Sequence, residues 1–355
     1  MEVDTIYQYL KYPIFEVMVK NKTIRLSDIR NSNDTTELQL RFELFKKAFI
    51  SAFERDKSKD ISLISKADLI KLLDENTDYI KQYEDKRNTE FVSCFSENGD
   101  LLSQWRGYAQ GIYTNRNDLC KLLETKAIGD RVDIRKYKTY GGVAVGFSLK
   151  KLQSIVENYD TFTVDKVRYT ENRQVALFRS AADDIIRDIR NYIHINKSLD
   201  GYNWNYCAIK YQDSLIKQGV YAKNDFFKEE KEWRLCMWGS YSPNKVEYNL
   251  EYPDVRLSNC EYSREYNDTY TEYNKKVESG LATAADVEKL RSLSPYYDLY
   301  MGERVNEFIK EVVIGPKCQH TEGEIKQFLL DNGINCKIRT SKGMGVFVDS
   351  ANHKG

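Results

Sequence analysis

Along most of this chain, short runs of alternating apolar and polar residues are separated by longer runs with apolar residues at helical spacing. Alternation puts successive side chains on opposite faces of a strand, whereas a 3.6-residue period gathers them on one face of a helix. TIRLSD (23–28), EFVSCFSE (90–97), TFTVDKVRYT (161–170) and EKEWRLCMWG (230–239) read as strands. DTIYQYL (4–10) is a short aromatic first strand, and 309–315 and 335–339 are strands near the end. GGVAVGFS (141–148) is a strand of small residues, which another element can approach closely. Between them lie helical runs. Pro13 suits the first turn of a helix carrying Ile14, Phe15, Val17, Met18 and Val19, which ends at Asn21. Residues 36–55 (Leu38, Phe42, Phe45, Phe49, Phe53) and 66–86 (Leu69, Leu72, Leu73, Ile80) are amphipathic helices. A short helix begins near Leu101; 171–194, 203–217 and 321–332 are further helices, the last ended by Gly333. The expected class is α+β: a mixed, largely antiparallel central sheet with several helices.

Length sets the organisation. A chain of 355 residues accommodates one decorated domain, expected over 1–340 with insertions at about 38–90, 110–140 and 258–300 and a tail over 341–355. Residues 258–300 are tyrosine-rich, charged and poor in large aliphatics, with a helix at 283–293 capped by Thr283. They are expected on the surface, where tyrosines suit a protein partner. VEYNLEY (246–252) is expected to pair with 230–239.

Charge and rare residues narrow the chemistry. The 54 basic and 54 acidic residues balance, so no basic coat tracks nucleic-acid phosphates, although a local basic groove is still allowed. The start, MEVDTIYQYL, carries acidic residues and no long apolar run, so no signal peptide is expected. No stretch approaches the roughly 20 apolar residues of a membrane span. Seven scattered cysteines without a CxxC pair suit reduced thiols in a cytoplasmic protein. The three histidines, His194, His320 and His353, have no metal-ligand spacing, so no metal is expected. There is no GxGxxG or GxxxxGK[ST], which argues against Rossmann and P-loop sites. Acid–base chemistry therefore falls to carboxylates.

The richest segment is FFKEEKEWRLCMW (226–238). Strand alternation would put Glu230, Glu232 and Arg234 on one face, with the carboxylates about 7 Å apart. Such a pair suits a reaction with a developing cation: one carboxylate stabilises it while the other orients a nucleophile. The same pattern also describes a solvated charge run with Arg234 pairing the glutamates. In FSENGDLLSQWRGYA (95–109), Ser96 ends a strand and Trp105, Arg106 and Tyr108 lie close together on a short helix. That cluster is either a nucleotide contact, with guanidinium on phosphate and ring on base, or a core anchor with a tied loop. In TIRLSDIRNSNDTTE (23–37), Asn33, Asp34 and Glu37 read as a turn and helix cap, while Arg25, Ser27 and Arg30 can face a phosphate. Glu229 and Lys231, with Asp213 or Asp225, form an acid…Glu-x-Lys pattern of the nuclease kind, a pattern that arises often by chance.

Taken in order, IYQYLKYPIFEVMVKNKTIRLSDIRNSNDTTEL, VSCFSENGDLLSQWRGYA, GGVAVGFS, KNDFFKEEKEWRL and KEVVIGP resemble the bacterial domain-of-unknown-function family 2971. The resemblance runs from about residue 5 to 316 with gaps, and LSDIRNSND and LLSQWRGYA are its specific blocks. The layout is also similar to the ADP-ribosyltransferase superfamily. That resemblance implies an ADP-ribosyltransferase-like core, NAD as substrate and a nucleotide-binding cleft. Carried over, the first block falls on Tyr7, Gln8 and Tyr9, the middle block on Ser96 and Trp105–Tyr108, and the late glutamate on Glu232 or Glu230. The superfamily usually has histidine or arginine where this chain has Gln8, so phosphate charge falls to Arg25 or Arg106. Ser27, and Lys223 at the head of KNDFFKEEKEWRL, complete the implied cofactor-contacting set. The family's bacterial setting implies a place in anti-phage defence or a toxin-like system, either as an NAD-consuming effector or as a sensor without turnover.

Overall fold

The computed structural model describes residues 3–29, 37–109, 111–112, 139–158, 161–203, 205–240, 257–259 and 296–343, with isolated positions between 272 and 283. The chain opens with strand β1 (Thr5–Lys11) and helix α1 (Tyr12–Asn21). Lys22 then takes a left-handed φ of 53°, which ends the helix and starts β2 (Thr23–Asp28). Helices α2 (Glu37–Arg55) and α3 (Lys66–Arg87) lead into β3 (Asn88–Ser96) and the short α4 (Leu102–Tyr108). A two-stranded ribbon, β4 (Gly111–Ile112) with β5 (Thr139–Tyr140), precedes β6 (Gly142–Ser148). There follow α5 (Leu149–Asn158), β7 (Phe162–Lys166), α6 (Glu171–Leu177), α7 (Arg179–Asn196), α8 (Asn205–Gly219) and β8 (Glu232–Ser240). The end comprises β9 (Leu257–Asn259), β10 (Tyr296–Tyr300), α9 (Val305–Phe308), β11 (Ile309–Ile314), α10 (Glu322–Asp331) and β12 (Lys337–Thr340). No helix among the described residues is long and apolar enough to cross a membrane.

The fold is α+β, as the periodicities imply. The main sheet runs β12-β11-β6-β1-β3-β2-β10-β9, with β8 paired to β3 and β7 to β8. Every pairing is antiparallel except β11 with β12. Alternation divides its two faces. Ile6, Phe91, Phe95, Val145, Phe147, Leu235 and Val312 join one core with Phe15 of α1, Leu152 of α5, Phe308 of α9 and Leu329 of α10. Their neighbours turn the other way into two smaller clusters, Tyr9–Trp105–Ala144–Val313 and Ile29–Val92–Val220–Tyr221–Cys236. A separate lobe of α2, α3, α6, α7 and α8 packs around Phe45, Phe49, Phe178, Ile189 and Tyr211.

One irregularity of pairing creates the cleft. β8 covers one edge of β3 along its whole length. On the other edge, β1 meets β3 only at Tyr7 opposite Ser96, and β2 meets it only at Ser27–Val92 and Asp28–Phe91. The sheet therefore parts between β1 and β2, beside Ser93–Phe95. The Gln8 amide donates to Ser93 Oγ across the gap at 2.8 Å.

Three sequence expectations change. The long helix at 171–194 is two helices, broken at the fully buried Phe178. The strand expected from 230 starts at Glu232, because Asp225–Glu230 form a 3-10 turn and Lys231 takes a left-handed φ of 45°. Residues 296–300 belong to the sheet rather than to a surface insertion, with Tyr297 packed edge-on against Phe91. The amphipathic helices read at 36–55 and 66–86 are present as α2 and α3 of the helical lobe. The strand at 246–252 and the helix at 283–293 lie outside the described residues, Thr283 excepted.

Candidate functional site

The parted sheet opens into a cavity of about 420 Å³. Its floor comes from the side of β3 and β8 that faces away from the main core, including Cys94, Glu232 and Arg234. β1 supplies Tyr7, Gln8, Tyr9 and Lys11, β2 supplies Arg25, Ser27 and Asp28, and α4 supplies Gln104, Gly107 and Tyr108. Lys223 and Glu230 reach in from the segment between α8 and β8.

The centre is a four-residue charge network. Arg234 is buried and donates from Nε to Glu232 Oε1 at 2.7 Å and from Nη2 to Oε2 at 3.3 Å. Its Nη1 is anchored on the Val220 carbonyl at 2.6 Å. Lys223 Nζ lies 2.8 Å from Glu232 Oε2 and 2.7 Å from Glu230 Oε2, bridging the two carboxylates. The backbone sets the lysine: its N–H donates to the Arg168 carbonyl, and its own carbonyl accepts from Gln174. Burial by itself would raise the Glu232 carboxyl, but Arg234 and then Lys223 outweigh it and hold it well below the usual carboxylate range.

The two glutamates differ. Glu232 is 3% exposed and held by two cations. Glu230 has Lys223 on one oxygen and the Tyr108 hydroxyl at 3.3 Å on the other. Ser96 fixes this stretch by donating to the Glu230 carbonyl at 2.7 Å. The pair converges because the left-handed Lys231 folds Glu230 back beside Glu232, not because of strand alternation.

Tyr7 stands in a built socket. A Cβ at Gly99 would come within 2.4 Å of its ring, and one at Gly146 within 3.0 Å. These glycines let the turn and β6 close on the ring, the close approach that the small residues of 141–148 suggested. Its hydroxyl donates to Glu311 at 2.5 Å, and Arg339 pairs with the same carboxylate at 3.2 Å. Burial, then Glu311, pushes the Tyr7 hydroxyl up to about 12. Cys94 opens onto the cleft although protein encloses it on most sides. That enclosure, then the Glu232 charge, raises its thiol above the usual range.

Tyr7, Gln8, Arg25, Ser27, Tyr108, Lys223, Glu230 and Glu232 thus share one cavity. Three residues of the sequence set do not line it. Ser96 acts one bond away, through the Glu230 carbonyl. Trp105 is 2% exposed, packs edge-on against Tyr9 at 4.7 Å and donates from its indole to Asp100 at 2.8 Å. It is a core anchor rather than a stacking platform for a base. Arg106 is exposed on α4, away from the cavity lining. Arg25 lines the cavity but gives a bidentate pair to Asp298 and lies over Tyr296 at 3.5 Å. Sequence reasoning missed Lys11, Cys94, Gln104 and Asp28, and only Lys11 carried a local signal: it is the third charge-competent position on the Tyr7–Tyr9 face of β1.

For the nuclease-like pattern, Asp213 pairs with Lys217 and Asp225 with Lys228. Among the described residues no group of three or more His, Cys, Asp or Glu side chains lies close enough to hold a metal ion.

Residues 135–235 match the model of a family described as "Protein of unknown function (DUF2971)". The matched segment contains β6, β7 and the start of β8, and with them Lys223, Glu230, Glu232 and Arg234. The resemblance to domain-of-unknown-function family 2971 is therefore supported over that segment, and the match does not extend to ADP-ribosyltransferases. No curated protein and no solved structure matches the chain.

Proposed function

We propose that the cleft takes a nicotinamide nucleotide such as NAD and cleaves its bond between ribose and nicotinamide, passing the ribosyl group to water or to an acceptor. The observation that carries this reading is the Glu230–Glu232 pair closing on one ammonium at 2.7 and 2.8 Å. A site that holds a lysine cation between two carboxylates can hold a developing oxocarbenium ion in the same place. Ligand entry displaces the Lys223 ammonium. The C1′–N bond then breaks with its electron pair moving to the pyridinium nitrogen, which leaves as neutral nicotinamide. Glu232, kept ionised by Arg234, stabilises the ribosyl cation. Glu230 orients the incoming hydroxyl and accepts its proton. Tyr108 borders the same pocket and offers a ring to the nicotinamide. We assign such an activity to an effector of anti-phage defence or a toxin-like system, on the bacterial setting of the family alone.

The test is nicotinamide release from NAD by the purified chain, with Glu230→Gln and Glu232→Gln as controls. Release that falls at least about a hundredfold in both variants supports the reading. No release under any condition, with or without protein and nucleic-acid acceptors, rejects it.

A second reading is a nucleotide sensor without turnover. It draws on the same network, since Lys223 and Arg234 already neutralise both carboxylates. NAD binding by calorimetry with no nicotinamide formed would select it.

A further inference from the structure

Among the described residues, four cations line the cleft: Lys11, Arg25, Lys223 and Arg234. Three are engaged with carboxylates of the protein. Arg234 holds Glu232, Lys223 bridges Glu230 and Glu232, and Arg25 is paired with Asp298. Lys11 differs: among the described residues its side chain has no ion pair, hydrogen bond or ring contact. Nor does its side chain support the start of α1. Lys11 occupies the N-cap of α1 without a side-chain cap bond, and the first turn has no acidic residue. A positive charge there opposes the helix dipole, so it stabilises nothing locally.

Its position gives the cleft a polarity. Tyr7 lies opposite Ser96 on β3, and Ser96 lies opposite Glu232 on β8. Lys11 is four residues further along β1, a run of about 13 Å. The cleft therefore has the Glu230–Glu232 pair at one end and, towards the other, Lys11, which among the described residues makes no ion pair, together with Asp28 beside Phe91 of β3. A ribose whose C1′ lies at the carboxylates directs its 5′-phosphate away from them. A lysine side chain and the arm from C1′ to that phosphate together cover the distance.

We propose that Lys11 is the specificity residue by which the cleft selects 5′-phosphorylated nicotinamide nucleotides over the free nucleoside. The proposal rests on the reading of the cleft as a nucleotide site. It shifts phosphate recognition to a residue whose side chain makes no ion pair or hydrogen bond among the described residues, and away from Arg25 and Arg106. The ammonium gives a charge-assisted hydrogen bond to the phosphate, an interaction that the nucleoside cannot make.

The experiment is calorimetric titration of the full chain with nicotinamide mononucleotide and with nicotinamide riboside, at low and high salt. Wild type is expected to bind the mononucleotide at least about tenfold more tightly, with a preference that shrinks as salt rises. Lys11→Ala should bind both ligands with the affinity of the riboside, and Lys11→Arg should keep most of the preference. Lys11 is exposed, so unchanged melting temperatures identify both variants as folded. If Lys11→Ala keeps the wild-type preference, or wild type binds both ligands equally, Lys11 is not the phosphate reader and the nucleotide cleft stands without it. If wild type binds neither ligand, both the proposal and the cleft reading fall.

Discussion

The two faces of one sheet differ more than any two elements of this molecule. The same strands that give Ile6, Phe95 and Leu235 to the main core give Tyr7, Cys94 and Arg234 to the cleft on the other side. On the first face, helices α1, α5, α9 and α10 supply apolar partners and exclude water. On the second, α4 and the helical lobe cover only the flanks, and a polar strip stays open between them. A charged group in the middle of a sheet is stable only where every polar atom finds a partner. Arg234 and Glu232 meet that condition with each other, Lys223 and the Val220 carbonyl. The cleft is thus part of the structure as well as a site on it.

The largest expected effect comes from breaking this network. Arg234→Met leaves Glu232 buried with Lys223 as its main partner and should destabilise the chain by about 3–5 kcal/mol, read as a fall in the urea midpoint. On the apolar face, Phe147→Ala should cost a similar amount, about 3–5 kcal/mol, so equal losses would show that the polar face supports the fold as much as the core does. If Arg234→Met is neutral, the charge network is ornamental and the comparison fails.

A pH series sharpens the point. The Glu232 carboxyl is depressed in the folded protein, so its stabilisation is full above the ordinary carboxylate range near pH 4.3 and drains as pH falls towards about 2. The stability gap between wild type and Glu232→Gln should therefore be constant from pH 5 to 7 and narrow below pH 4. A smaller effect is expected at the socket of Tyr7. Gly99→Ala puts a methyl into the ring and should cost about 1–3 kcal/mol while weakening ligand binding. Smallest of all is Glu230→Gln, since Glu230 has only one cation and a long tyrosine contact. Its stability change should stay at about 1–2 kcal/mol, because the amide oxygen can still accept from Lys223 and Lys223 keeps Glu232 as its counter-charge, even where activity is lost.

Much of this architecture was legible in the amino-acid order. Period two and period 3.6 are local properties, so β1, β2, β3, β6, β8 and β11 and most helices could be placed to within a few residues. The same alternation put Glu232 and Arg234 on one face. Local pattern failed where a contact comes from far along the chain. Residues 296–300 are tyrosines around Asp298 and Leu299, with no clear apolar face, and they become a strand only because β2 offers an edge. Trp105 and Arg106 looked equivalent as nucleotide contacts, yet the helix turns one into the core and the other to solvent.

The sequence by itself determined the class of fold, the scarcity of histidine that directs attention to carboxylates, and the strand that carries Glu232. Tertiary structure alone decided that the sheet parts between β1 and β2, because β3 pairs with each of them over only one or two residues. It also decided that Lys223 lies between the two glutamates and that Lys11 has no counter-charge among the described residues. The parting of the sheet depends on pairings across tens of residues, and the Lys223 bridge, though only seven and nine residues long, needs the left-handed turn at Lys231, whereas periodicity reports only on neighbours a turn or a pleat away.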